Sequence, residues 1–440
     1  MTYRQVEVVE VWAWRARVGA VAQDPSSGRY VFAFTPEWVA RGTELSPLTM
    51  PLRTEPYDRS QWPELTPDSF SGLVPMLADV LPDAFGNALV NAWMAEHDVP
   101  VDQITPLDRL AYAADRAVGA LEFRPPAGPS GDDAPTAVQL ADLVLAARMT
   151  VQGELADGAS ANAALQQLIH VGSSAGGARA KALVAFDPST WRIRSAFAPH
   201  EPGFEQWLIK LDGVGSTGLD GHGDGLGETA PYGRIEFAYS KMASAAGLQM
   251  SECLLLPEGP RSHFMTKRFD RGPAGDHHHV QSLAALANLD PRLVGAHSYD
   301  QYLQTVTALR LGQDGLQEAF RRMVFNVMGV NRDDHTKNFA FLLPKDGRWS
   351  LSPAFDVTHT YRPSSPWTSR HNMAVNGKLD AITLADLYEV GERNAVPAYR
   401  RLVREVGAAV DEWPTFADEA GVDDRASKAV QADIDRFRPV

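Results

Sequence analysis

The chain has a single cysteine, Cys253, among 440 residues, so no intramolecular disulfide can form and a zinc site built on several thiolates is excluded. It has no apolar run of membrane-spanning length, and its opening residues, MTYRQVEVVEVWAW, lack the basic-then-apolar order of a secretory leader. The expected setting is the cytoplasm, with no membrane partner. Positive charge is also short: 41 Lys and Arg stand against 55 Asp and Glu, a net charge of −14. That balance gives no broad footprint for a polyanion and argues against direct, non-specific DNA binding. The apolar fraction is ordinary, and at this length two domains or one bilobal domain with an appendage are expected.

Residues 6–14, VEVVEVWAW, and 29–35, RYVFAFT, are rich in β-branched and aromatic side chains and flank a Ser-Ser-Gly turn at 26–28, which predicts a small antiparallel β unit. Helical patterns follow over 70–96 and over 105–117, the latter opened by a Thr-Pro start signal. The stretch 124–135, RPPAGPSGDDAP, is dense in Pro, Gly and Asp and reads as a linker. The expected division is an α+β N-terminal subdomain over 1–127, a linker over 128–136, and a second unit over 137–440. In the second unit, helices are expected at 137–147 and 160–170, then a small-residue loop running into an apolar strand. Further strands are expected at 206–212 and 262–271, and mostly helix beyond 280, including 315–328 with Gly329 at its C-cap.

The segment 331–338, NRDDHTKN, gathers two aspartates, a histidine, a lysine and an asparagine. It leads into a predicted hairpin, FAFLL-PKDG-RWSLS, that returns Asp356 toward Asn338. A loop aspartate, an asparagine five positions on and an aspartate after a hairpin are the parts used in kinase-type phosphoryl transfer. Asp333 would accept the hydroxyl proton, while Asn338 and Asp356 would hold Mg²⁺ against the phosphates of ATP. Hard oxygen ligands suit that ion, which takes one or two carboxylates and completes its shell with phosphates and water. His335 and Lys337 complete the loop and count among the nucleotide-binding residues, His335 by bracing the loop and Lys337 by neutralising phosphoryl charge.

Upstream, GSSAGGARAK at 172–181 offers small residues whose amides can approach phosphates, ending in Arg179 and Lys181. Lys210 lies in the middle of the apolar segment QWLIKLD, where an ammonium needs a partner or a phosphate. Glu236, on the helix that follows, reads as a surface glutamate, with pairing to Lys210 as the alternative. Lys267 and Phe269, in KRFD, leave a strand where an adenine-contacting hinge would lie. The adjacent histidines of DHHH at 276–279 cannot all face one ion and read as a polar loop.

Taken in order, SSAGGARAK, IKLD, KRFDR, NRDDHTKNF and LSPAFDVT resemble the HipA family of bacterial serine/threonine kinases, toxins of type II toxin–antitoxin pairs. The resemblance covers nearly the whole length. It implies a bilobal protein-kinase-like fold with a small N-terminal α+β subdomain, a nucleotide-binding part over 137–272 and a mostly helical catalytic lobe over 273–440. It implies ATP and Mg²⁺ as cofactors and phosphorylation of a protein serine, typically on an aminoacyl-tRNA synthetase. It also implies a HipB-like helix-turn-helix antitoxin that carries the toxin to DNA indirectly. By the same resemblance Asp333 matches the catalytic base, Asn338 and Asp356 the metal ligands, Lys181 and Lys210 the nucleotide-phosphate lysines, and Gln281 a nucleotide-contacting glutamine. Ser174 matches the autophosphorylated serine, whose phosphate would repel those of ATP; the adjacent Ser173 is the alternative.

Two departures stand out: Asp334 follows the base where some members have glycine, and the Gly-rich insert at 212–233 is unusually long. A catalytically idle co-repressor and a small-molecule phosphotransferase on the same scaffold stay open as other readings.

Overall fold

Every second residue of β1 (Val8–Ala13), namely Val9, Val11 and Ala13, is fully buried, the period of a strand with one face on a core. β1 belongs to a five-stranded sheet of order β4-β3-β2-β1-β5, with β2 (Ala16–Gln23), β3 (Tyr30–Phe34), β4 (Tyr57–Asp58) and β5 (Leu121–Arg124). The computed structural model describes residues 3–66, 68–129, 143, 144, 147, 180–212, 214, 231–259, 261–272 and 275–440. Most of the helix expected at 137–147, the helix at 160–170, the loop carrying Ser174 and Arg179, and most of the Gly-rich insert lie outside them.

The antiparallel unit expected from 6–14 and 29–35 forms, with β2 lying between them and pairing with both. Its sequence, ARVGAVAQ, carries little of the β-branched and aromatic signal that marks β1 and β3. Small side chains are needed there: a Cβ on Gly19 would come within 2.2 Å of the Ala33 carbonyl and 2.7 Å of the Phe32 ring.

Four helices complete this domain: α1 (Pro36–Arg41), α2 (Pro75–Ala78), α3 (Ala84–Ala95) and α4 (Pro106–Ala113). The Thr-Pro signal does what it predicts. Thr105 and Asp108 form a reciprocal capping box around Pro106 at the first turn of α4. Asp83 caps α3 by accepting from the Gly86 N–H at 2.7 Å.

The second sheet, of order β7-β6-β8-β10-β9, consists of β6 (Lys181–Asp187), β7 (Arg192–Ser195), β8 (Glu205–Lys210), β9 (Cys253–Glu258) and β10 (Arg261–Lys267). All seven residues of β6 are buried. Phe85 and Leu89 of α3 share one apolar core with Val184, Phe186, Trp207 and Ile209, while α5 (Tyr232–Ala245) packs against β9 and β10. The N-terminal domain therefore contributes side chains to the core of the second sheet.

The remainder is mostly helical, as expected. β11 (His279–Ser282), β13 (Ala340–Leu343) and β14 (Ser350–Leu351) form a small antiparallel sheet, and β12 (His297–Ser298) pairs in parallel with β15 (Met373–Ala374). Around them lie α6 (Leu283–Ala287), α7 (Tyr299–Ala308), α8 (Gly312–Met328), α9 (Leu384–Arg393), α10 (Tyr399–Asp411), α11 (Trp413–Glu419) and α12 (Asp424–Phe437). Phe320, Met323, Val324 and Phe325 of α8 are fully buried. Gly329 occupies the C-cap of α8 with φ −85°, and the left-handed turn falls instead on Val330 at φ 54°. A Cβ on this glycine would come within 2.9 Å of the Phe325 carbonyl, and the Tyr239 hydroxyl donates to the glycine's own carbonyl at 2.6 Å.

The N-terminal domain docks on residues 268–290 through buried polar contacts. Gly119 N–H donates to Asp270 at 2.8 Å, Arg271 donates to the carbonyls of Gly119 and Ala117 at 2.9 Å, and His279 donates to the Leu45 carbonyl at 2.9 Å. Burial alone would raise the Asp270 carboxyl, but Arg268 and Arg271 hold it well below the ordinary range. Among the described residues no helix is long and apolar enough to cross a membrane.

Candidate active site

α8 delivers the chain into the loop 331–338, and hydrogen bonds to the main chain fix that loop. The Thr360 hydroxyl accepts from the N–H groups of Arg332 at 2.7 Å and Asp333 at 2.9 Å, and donates to Asn331 at 3.0 Å. The Asn338 amide donates to the Asp333 carbonyl at 2.7 Å. His335 Nδ1 accepts from the Lys337 N–H at 3.3 Å and caps the single 3-10 turn Thr336–Asn338, which is the bracing expected of it.

The two adjacent aspartates have different surroundings. Asp334 is fully buried and accepts from the Tyr299 hydroxyl at 2.7 Å, the Asn372 N–H at 2.7 Å and His371 Nδ1–H at 2.9 Å. Asp333 keeps 36% of its side chain exposed, with His335 Nε2 at 3.7 Å. Desolvation first, then the negative charges of Asp356 and Asp334, raise the Asp333 carboxyl above the ordinary range against the pull of His335 and Lys210. A raised carboxylate is a stronger proton acceptor, which suits a base.

The β13–β14 hairpin forms with Phe341 opposite Leu351, and the chain leaving it reaches Asp356. That residue sits at φ 55°, in the left-handed region, a conformation that costs energy and gathers at functional sites. Its Oδ1 accepts from Lys210 Nζ, which also donates to Glu236 Oε1 at 2.5 Å. Burial opposes both ions, yet the Asp356 carboxyl is held far below its ordinary value, by Lys210 first and Lys181 next. Burial would likewise lower Lys210, and Asp356 and Glu236 raise it.

Lys210 is the last residue of β8, not its middle, and lies directly opposite Lys181, the first residue of β6. The strand ends where the ammonium must reach Asp356. Lys181 Nζ lies 2.9 Å from Asp83 of the N-terminal domain. The donor set fits a hard divalent cation. With its Nδ2 committed to Asp333, Asn338 has its amide oxygen to offer, Asp356 supplies an ionised carboxylate, and Mg²⁺ asks for few protein ligands. Among the described residues no group of three or more His, Cys, Asp or Glu is arranged to hold a metal. The stretch DHHH is not wholly the polar loop expected: His277 bridges to Arg271, and His279 opens β11 and is buried, its ring turned to the Leu45 carbonyl.

Residues 173–432 match the family model described as the HipA-like C-terminal domain, and residues 9–124 match the HipA N-terminal domain. The chain belongs to the HipA family. Its fold is that of a HipA protein: over 98% of this chain it superposes on 95% of a chain from the solved complex of the Shewanella oneidensis MR-1 toxin–antitoxin system HipA, HipB and operator DNA, with TM-score 0.65 and 14% identity. The Sinorhizobium fredii protein Y4dM, provisionally named a kinase, is 24% identical over 233 residues, 48% of this chain and 53% of that one. The chain thus spans about half the length of that curated relative.

In this HipA-family chain the structure brings together Asp333, His335, Asn338, Asp356, Lys210 and Lys181. Lys337 is half-buried beside them and forms no ion pair with a described residue. Lys267, the last residue of β10, pairs with Glu205 at 2.7 Å and Glu252 at 3.4 Å on the sheet surface. The Phe269 ring packs 5.6 Å from Phe355, next to Asp356. Gln281 is fully buried with neither amide atom hydrogen-bonded, a group that calls for a polar partner. Ser174 lies outside the described residues. Glu236 is not the surface glutamate expected but is 1% exposed; its place on the inner face of α5, with Ile235 and Tyr239 buried beside it, was the signal available. Sequence reasoning missed Asp83, legible as a helix cap but not as a partner of Lys181, and the Thr360 and Asp334 contacts that hold the loop.

Proposed function

We propose that this protein is an ATP- and Mg²⁺-dependent protein serine/threonine kinase, the toxin of a HipBA-type toxin–antitoxin pair. The observation that carries the proposal is the constellation itself: an open carboxylate on Asp333, whose main-chain carbonyl is held by Asn338, together with an Asp356–Lys210–Glu236 ion network.

In this reading Lys181 and Lys210 face the phosphates of ATP, with Gln281, Lys267 and Phe269 at its other end. Asn338 and Asp356 would hold Mg²⁺, which when bound offsets phosphate charge. Asp333 takes the proton of the substrate hydroxyl as that oxygen bonds to the γ-phosphorus; the bond from that phosphorus to the β–γ bridging oxygen breaks and ADP leaves. Thr360 and Asn338 hold the base at its main chain, so little reorganisation is needed when the substrate arrives.

The substrate is a protein serine or threonine, an aminoacyl-tRNA synthetase by family resemblance, and Ser174 is the proposed site of autophosphorylation. A HipB-like antitoxin is the proposed partner, supported by the presence of HipB in the solved complex that shares this fold. The net charge of −14 is consistent with DNA being reached through that partner. Incubation with Mg²⁺ and γ-labelled ATP, alone and with lysate, tests the activity; phosphopeptide mass spectrometry tests Ser174 against Ser173.

A further inference from the structure

Two lysines that face each other across antiparallel strands repel unless each is compensated. Lys210 is compensated by Glu236 and Asp356, both outside the N-terminal domain. Lys181, directly opposite, is paired at 2.9 Å with Asp83, and the two side chains are only 4% and 6% exposed. Asp83 comes from the other domain, in the sequence LPDAFG. Its Oδ1 caps α3 through the Gly86 N–H at 2.7 Å; its Oδ2 has no hydrogen-bond donor beyond this ion pair. Phe85, two positions on, and Leu89 anchor α3 in the core of the second sheet, so the carboxylate is presented from a fixed support.

We infer that Asp83 is a positioning residue for nucleotide binding: its carboxylate holds the Lys181 ammonium beside Lys210, so that two cations face the polyphosphate together. This rests on the kinase reading above and adds that the N-terminal domain is part of the nucleotide site. Without the charge of Asp83, Lys181 is buried, unpaired and repelled by Lys210, and it swings away from the phosphate position.

Asparagine caps helices about as well as aspartate, so Asp83→Asn removes the charge and keeps the cap; Asp83→Ser is a second cap-retaining variant, read in the same way. The experiment measures MgATP affinity by calorimetry, with KM and kcat for ATP, in the wild type, Asp83→Asn, Lys181→Met and the double variant. The expected result is a rise of about tenfold in Kd and KM for Asp83→Asn, the loss of one charge-assisted contact, with kcat much less affected. Because Asp83 acts through Lys181, the double variant is expected to bind no more weakly than Lys181→Met alone. Unchanged or tighter ATP binding in Asp83→Asn, or additive losses in the double variant, would overturn the inference. Failure of the wild type to bind MgATP at all would instead overturn the kinase reading on which it stands.

Discussion

The Asn338 side-chain amide donates to the main-chain carbonyl of Asp333 at 2.7 Å, so the two residues picked out by their five-residue spacing are joined in space. Asn338→Asp keeps an oxygen for a hard cation but replaces the donor with an acceptor facing that carbonyl. Its expected effect is a fall in phosphoryl transfer of about a hundredfold, typical of disturbing a preorganised group. A steady-state assay checks this.

Asp333 and Asp334 separate activity from stability. The raised Asp333 carboxyl means that its charged form opposes folding: the stability it contributes is present below the unfolded value and lost as pH rises through the folded one. Asp333→Asn is therefore expected to lose activity while unfolding at neutral pH with equal or slightly greater stability. Asp334→Ala leaves the Tyr299, His371 and Asn372 donors without their acceptor and is expected to lose roughly 3 kcal/mol. Urea unfolding of both variants distinguishes them.

Lys210 lies between Glu236 and Asp356. Lys210→Met leaves two carboxylates facing each other with no cation between them, and removing one partner of a buried pair costs about 3–5 kcal/mol. The variant is expected to be inactive, to melt earlier than the wild type and to recover part of the lost stability as pH falls, because protonating one carboxylate relieves the repulsion. Thermal melts at neutral and mildly acidic pH check this.

What the sequence made legible was chemistry at fixed spacing: Asp333 to Asn338, the hairpin before Asp356, and the Thr105 cap with Pro106. Each depends on neighbours a few residues apart. What it concealed depends on distant segments. Gly19 and the small residues of β2 are dictated by Phe32 and Ala33 on the next strand, so β2 carried no strand signal of its own. Glu236 needed the phase of α5 against the sheet, and the Asp83–Lys181 pair needed the docking of α3 on β6 and β8. The different roles of Asp333 and Asp334 come from Thr360, His371 and Asn372, which no local pattern links to them.

His279 joins the two domains through the Leu45 carbonyl, and burial lowers its imidazole to about 4. The unfolded chain therefore binds the proton first, and stability falls as pH drops from about 6.5 toward 4, by roughly 3 kcal/mol for this one group. His277, lowered to about 4 by burial and then by Arg271 and Arg268, adds to the same slope. His279→Gln keeps a donor for Leu45 without the titration. Its unfolding free energy is expected to depend less steeply on pH than that of the wild type over this window; equal slopes would contradict the assignment.

The most direct test of the kinase reading is transfer of label from γ-labelled ATP with Mg²⁺, in the purified protein and in lysate, alongside Asp333→Asn. Label is predicted on the protein and on a discrete lysate protein, and none with the variant. Equal labelling by Asp333→Asn, or ATP binding with no transfer to any protein, would contradict it.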